Sequence, residues 1–166
     1  MEKLGTVENG GSILTNADVG VWAVEVDDGK PGRMYADATM LKLMGMEEGS
    51  SPEEVFKVWY ESIDHESVEA VLEYIQTMYS GKHAEIQYPW HHPDGSIRYV
   101  RCGGVRNFEY TKGIRTEGTH QDLTEMVHME RAQKDAEEDR IRLREQSEIE
   151  RDNERFIEAF EEEDDE

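Results

Sequence analysis

The segment from Pro93 to Thr124 constrains the fold more than any other part of the chain. It opens with the turn Pro93-Asp94-Gly95-Ser96, in which proline presets its own φ and glycine supplies a positive φ. Two extended runs follow, Ile97–Phe108 and Ile114–Leu123, and strands joined this closely pair as antiparallel neighbours. After Thr124 glycine and proline disappear, which predicts a long helix that starts where the sheet ends.

The residues before this segment predict strands first, then helices, then one more strand. Strands are expected at Val19–Val26, Arg33–Ala36 and Ala84–His91, and helices at residues 37–45, 51–63 and 64–81. Pro89 indicates that its strand lies at an edge of the sheet or contains a bulge. Strands segregated from helices predict an α+β domain in which helices cover one face of an antiparallel sheet.

The composition indicates a globular part extended by a polar segment, because 36% of the residues are hydrophobic and 34% are charged. The formal net charge of -21 disfavours nucleic acid and anionic membranes as partners, although it can equally serve solubility alone. The single cysteine, Cys102, excludes an internal disulfide and is typical of the cytosol, where we expect the protein to reside. No apolar run approaches the ~20 residues that span a membrane.

Catalytic motifs are missing from the sequence. It contains no nucleophile motif, no glycine-rich phosphate loop and no cluster of cysteines and histidines at metal-ligand spacing. The adjacent pair His91-His92 would point to opposite sides of a strand. We therefore expect no enzymatic activity and no metal site in this segment; a small α+β hydrolase or isomerase using Glu or His is the least favoured alternative.

Several motifs, taken in order, resemble those of a PAS domain from a bacterial signalling protein. GVWAVEVD resembles the first strand of that family, and MYADATMLKLMGM its second strand and first helix. WYESIDHESVEAVLEYI, PDGSIRYV and EGTHQDLT resemble later parts, and the resemblance covers about Val19 to Thr124. Asp64-His65-Glu66-Ser67 departs from the His-Pro-Asp-Asp that is frequent in the family, and Pro89 stands where an arginine is common.

The resemblance implies a PAS fold, in which a five-stranded antiparallel sheet carries helices on one face. It divides the chain into a flexible or helical lead-in (residues 1–17), a PAS sensory domain (18–124) and a C-terminal signalling helix or coiled-coil linker (125–166). Family members bind haem, flavin, small metabolites or no known ligand. A cysteinyl-flavin adduct is disfavoured because Cys102 lies on a predicted strand, and haem is disfavoured because His65 lies at a helix start.

A small-molecule pocket between sheet and helices is therefore possible, and its ligand is not identified by the sequence. Strand alternation places Val100 and Cys102 on one face, which we expect to point inward. The candidate pocket residues are Trp22, Met44, Trp59, Tyr74, Tyr88, Trp90 and Cys102. The alternative is that these side chains simply fill the core.

The junction Asp122-Leu123-Thr124 resembles the Asp-(Ile/Leu)-Thr that ends the family's last strand. The resemblance implies that these residues relay a signal from the sheet to the following helix. Asp122 or Thr124 could also cap that helix, whose first N–H groups need acceptors.

The predicted C-terminal helix has a heptad seam that includes Met129, Ala132, Ala136 and Leu143. The same register places Asp139 and Gln146 inside, so the seam predicts a weak parallel homodimer whose helices can separate. A solvated single helix is the alternative.

We expect the chain to be a fragment that precedes an output domain. A diguanylate cyclase is favoured slightly over a histidine kinase, because His128 lacks the usual phosphoacceptor context. A ligand-free module for dimerisation or protein interaction is the alternative function.

Overall fold

Five antiparallel strands form one sheet in the computed structural model, which describes residues 18–163, with side chains as far as residue 160. The strands are β1 (Val19–Val26), β2 (Arg33–Ala36), β3 (Ala84–His91), β4 (Ile97–Arg106) and β5 (Ile114–Asp122). Their order is β2-β1-β5-β4-β3, so the last strand of the chain lies in the middle of the sheet. The predicted sheet is confirmed, and the lead-in predicted for residues 1–17 lies outside the described residues.

Four α-helices accompany the sheet within residues 18–163. They are α1 (Ala38–Leu43), α2 (Pro52–Glu61), α3 (Val68–Tyr79) and α4 (Thr124–Glu163). Asp37 caps α1 as predicted, because its Oδ1 accepts a hydrogen bond from the Met40 amide at 2.7 Å. Ser51 caps α2 through the Glu54 amide, and Gly45 follows α1 with a φ of 67°.

The structure corrects the sequence prediction at the start of α3. Asp64 does not open this helix; it caps a separate 3-10 turn, His65–Ser67, and α3 begins at Val68. Leu72 is 44% exposed although it is apolar, and Tyr74 is buried. In the second turn of the helix, Tyr74 and not Leu72 therefore joins the core.

The inner face of the sheet is the face that carries Trp22, Val100 and Cys102, all at most 5% exposed. Helices α1, α2 and α3 contact this sheet, and their buried side chains join it in one hydrophobic core. The prediction that Val100 and Cys102 point inward is confirmed. Strand β3 is an edge strand, as Pro89 indicated.

The chain divides into two compact units between Thr124 and Glu125. The second unit is helix α4, which at 40 residues is about 60 Å long. From residue 128 to residue 160 every side chain of this helix is exposed. Helix α4 therefore presents its apolar residues to solvent within a single chain.

Candidate ligand cavity and helix junction

A cavity of about 370 Å³ lies between the inner face of the sheet and the helices. Its volume falls within the range typical of small-molecule sites. Strands contribute Trp22, Val24, Val26, Met34, Cys102, Thr116 and His120. Helices contribute Met40, Phe56, Trp59, Tyr60, Leu72, Tyr74, Ile75, Gln76, Met78 and Tyr79.

Two glycines allow the indole of Trp22 to lie across the sheet. Trp22 pairs with Gly118 of β5, which in turn pairs with Gly104 of β4. A Cβ at Gly118 would lie 2.7 Å from Cζ2 of Trp22, and one at Gly104 would lie 2.9 Å from its Cη2. The glycines therefore leave the space that this ring occupies, and the ring becomes a wall of the cavity.

A chain of buried polar groups extends from α2 to β5. Trp59 Nε1 donates a hydrogen bond to the Tyr88 hydroxyl at 2.9 Å. That hydroxyl lies 3.5 Å from Sγ of Cys102, and the sulfur lies 2.8 Å from Nδ1 of His120. These four hydrogen-bonded side chains connect the helical wall of the cavity to the wall formed by the sheet.

Burial keeps both titratable members of the Cys102–His120 pair neutral. It lowers the pKa of His120 to about 4, against the opposing influence of Asp122, and raises the pKa of Cys102 to about 12. With both groups neutral, the thiol can donate to Nδ1 while it accepts from Tyr88. A buried, protonated thiol is a poor nucleophile, so the pair acts as a hydrogen-bonding surface.

Two wall side chains carry donors that have no acceptor within the described part of the protein. They are the Nε1–H of Trp22 and the hydroxyl of Tyr74, and both atoms are buried. Burial also raises the pKa of Tyr74 far above its usual value, so its proton is retained. An unsatisfied buried donor costs free energy, so an acceptor supplied inside the cavity would be stabilising.

The cavity reaches solvent between α2 and α3. Tyr60 on α2 is 48% exposed and Leu72 on α3 is 44% exposed, and both line the cavity. These two side chains form the mouth of the cavity.

The junction between β5 and α4 is fixed by hydrogen bonds to its own residues and to β4. Oδ1 of Asp122 accepts from the Thr124 amide at 2.9 Å and from the Thr124 hydroxyl. The Thr124 hydroxyl oxygen accepts from the Tyr99 amide at 2.9 Å, and the Leu123 amide donates to the Tyr99 carbonyl at 2.7 Å. The first residue of the helix is thereby bonded to two strands.

The profile of the PAS fold matches residues 33–120, which is more than half of the chain. The chain belongs to the PAS-fold family. Strands β2 to β4, most of β5, three of the helices and most of the cavity wall lie within the matched region, and β1 precedes it. No curated protein is similar enough to the chain to count as a relative.

Solved structures share this PAS fold at low sequence identity. A sensory box histidine kinase/response regulator from Burkholderia thailandensis is 21% identical, with a TM-score of 0.61, over 81% of this chain and 98% of that one. The N-terminal domain of a diguanylate cyclase with PAS/PAC sensor from Marinobacter aquaeolei is 18% identical, with a TM-score of 0.53, over 66% and 99%. The LOV protein of Rhodobacter sphaeroides is 12% identical, with a TM-score of 0.50, over 70% and 67%.

The PAS cavity brings together some of the residues predicted for a pocket. Trp22, Trp59, Tyr74 and Cys102 line it. Met44, Tyr88 and Trp90 are at most 3% exposed but do not line it. Tyr88 lies behind the wall, where it bonds Trp59 and Cys102, and Trp90 donates to the Trp59 carbonyl at 3.1 Å.

Sequence reasoning missed His120 and Thr116, which are buried side chains of the PAS cavity. Both lie in a polar run of β5 that reads as a surface strand. Alternation groups them with Gly118 and Asp122, because residues two apart share one face of a strand, but it does not say which face is buried.

The residues of the predicted dimer seam are all exposed on α4. They are Met129, Ala132, Ala136 and Leu143.

Within residues 18–163, no helix is long and apolar enough to cross a membrane. The same described part of the chain holds no group of three or more potential metal ligands.

Proposed function

We propose that this PAS sensory module binds a small molecule in the cavity and relays its binding through α4 to an output domain of the same protein. The proposed setting is a homodimeric signalling protein of the bacterial cytosol. The role is sensory rather than catalytic. A buried, reduced Cys102 is compatible with that compartment.

The observation that carries this proposal is the double role of strand β5. Thr116 and His120 contribute to the cavity wall, and Asp122, two residues further on, bonds the first residue of α4. Two residues span only about 7 Å along a strand. A ligand that displaces His120 would therefore move the strand at the point where the helix begins.

We propose further that the output domain is a diguanylate cyclase. Similar solved domains come from a histidine kinase/response regulator and from a diguanylate cyclase. Low identity limits these two likenesses to the fold. We favour the cyclase because His128, next to Met129 in α4, lacks the context of a phosphoacceptor.

Native mass spectrometry of freshly purified protein, followed by denaturing mass spectrometry, tests the proposal. We expect a ligand whose mass is lost on denaturation. A bare chain mass in repeated preparations, together with no binding by added compounds, would leave the ligand-free interaction module as the function. The apolar side chains exposed on α4 support that second candidate.

Asp122→Ala is expected to loosen the start of α4. The variant removes the acceptor of the Thr124 amide, and loss of a helix-capping acceptor typically costs about 1 kcal/mol. Amide hydrogen exchange at Thr124 and in the next turn should become faster, while exchange in α3 should not change. Asp122→Asn keeps a side-chain oxygen that can accept the same hydrogen bond and is the matched control. Equal exchange rates in Asp122→Ala and wild type would show that the hydrogen bond to Asp122 does not hold the start of the helix.

Leu143→Glu is expected to weaken the proposed dimer of α4. Leu143 lies on the heptad seam and is 60% exposed in the single chain, so a partner helix would bury it. Burying a leucine contributes about 1.5 kcal/mol or more. Because a homodimer buries one Leu143 from each chain, the loss of about 3 kcal/mol corresponds to roughly a hundredfold rise in the dissociation constant.

Sedimentation equilibrium measures this dimerisation constant. Ile141→Glu is the control, because Ile141 is also exposed, at 48%, but lies off the seam. Equal dissociation constants for the two variants, or a monomer at all concentrations in wild type, would reject the seam.

A further inference from the structure

The part of the cavity wall that the structure describes carries no charge. Among the described residues that line it, none is Asp, Glu, Lys or Arg. Its titratable pair, Cys102 and His120, is buried and uncharged at neutral pH. An ion brought into such surroundings loses its hydration without gaining a counter-charge. The walls therefore select against both anionic and cationic ligands.

The volume sets the size of the ligand. An engineered apolar cavity of ~150 Å³ binds benzene. The cavity of about 370 Å³ is more than twice as large, so a molecule of two fused rings, or an aliphatic molecule of equal bulk, would fill it. Trp22, Trp59, Tyr74 and Phe56 supply aromatic surface against which a flat ring can pack.

The unsatisfied donors set the polarity of the ligand. The two donors come from different layers of the fold, since Trp22 belongs to β1 of the sheet and Tyr74 to helix α3. Both atoms are buried, and neither has an acceptor among the residues that the structure describes. The N–H of an indole donates only, so the partner that Trp22 lacks must be an acceptor.

We propose that the cavity binds an uncharged, mainly apolar molecule of about two fused rings, whose carbonyl or ether oxygen accepts a hydrogen bond from Trp22, from Tyr74 or from both. The ligand enters between Tyr60 and Leu72. This assignment rests on the proposed sensing role, and it adds the chemical class of the molecule sensed.

Three probes of nearly equal shape separate the contribution of the acceptor from that of the charge. They are 2-acetylnaphthalene, which carries a ketone, 2-ethylnaphthalene, which lacks an acceptor, and 2-naphthoate, which is an anion. Titrations of the full chain, freed of any co-purified ligand, are followed by two-dimensional NMR of amide and indole N–H signals. We expect the ketone to bind roughly tenfold more tightly than the hydrocarbon, and the anion to bind more weakly than both.

Both naphthalenes are expected to shift the indole N–H signal of Trp22 through their ring currents, and a hydrogen bond from Trp22 to the ketone adds a downfield shift that the hydrocarbon does not produce. Trp22→Phe and Tyr74→Phe remove one donor each while keeping an aromatic ring. We expect at least one of them to lower the ratio of the ketone affinity to the hydrocarbon affinity to about one. Tyr35→Phe removes a hydroxyl from an exposed residue outside the cavity and is the control.

The outcomes distinguish the ligand class from the sensing role. Equal affinities for ketone and hydrocarbon, or tightest binding of 2-naphthoate, would overturn the ligand class and leave the sensing role intact. A co-purified ligand, released by denaturation, decides the same question through its own charge and functional groups. If no probe binds and no ligand co-purifies, the ligand class and the sensing role both fail.

Discussion

Gly118→Ala is expected to lower the free energy of unfolding by about 3 kcal/mol or more. A Cβ at this position would overlap the carbonyl oxygen of Gly103 and would lie 2.7 Å from Cζ2 of Trp22. Adding one methyl group to a close-packed interior typically costs 1–3 kcal/mol, and a backbone atom cannot give way as a side chain can. Urea unfolding followed by circular dichroism measures the loss.

Gly103→Ala is the matched control for this substitution. The change is the same and the residue lies on the neighbouring strand, but the nearest atom to its added Cβ is Nε2 of His83, at 3.7 Å. We expect a change below about 1 kcal/mol. Similar unfolding midpoints for the two variants would contradict the prediction that the Trp22 ring occupies the space where a side chain at Gly118 would lie.

Acidification is expected to destabilise the fold through His120. Its pKa falls from 6.5 to about 4 because the folded protein buries it, so between these values the unfolded chain binds a proton that the folded one does not. Stability is therefore lost as the pH falls from 6.5 towards 4. At about 1.4 kcal/mol for each pH unit, the loss amounts to roughly 3 kcal/mol.

His120→Asn isolates this effect from that of the carboxyl groups. Burial raises the pKa of Glu25, but the hydrogen bonds from Arg33 and Arg115 together lower it. The hydrogen bond from Arg115 lowers the pKa of Glu117, so both groups also destabilise the fold at low pH. The variant should show a shallower decline in unfolding free energy between pH 6.5 and pH 4. His65→Asn, at an exposed histidine, is the control; parallel pH profiles for wild type and His120→Asn would contradict the prediction.

Local patterns in the sequence were enough to predict the sheet. Valine-rich β1 and the turn before β4 are encoded in neighbouring residues, and so is the cap of α1 by Asp37. The burial of His120 is not encoded locally. It follows from the register that places this histidine opposite Cys102, and pairing between distant strands cannot be derived from one polar run.

The same limit explains the mixed outcome for the predicted pocket residues. Large aromatic residues were correctly expected to be buried, because burial follows from apolar area. Whether such a residue faces a cavity or packs behind it depends on its neighbours in three dimensions. Trp59 and Trp90 illustrate this, because they contact each other and only Trp59 lines the cavity.

The central position of β5 has a consequence for how the protein is made on the ribosome. Val19 of β1 pairs with Gln121 of β5, so at 5–20 residues per second β1 waits on the order of ten seconds for its partner. Throughout that interval one side of β1 is an open edge with unpaired backbone groups. Synonymous codons that slow translation before residue 122 should therefore lower the yield of folded protein without altering a single contact in it.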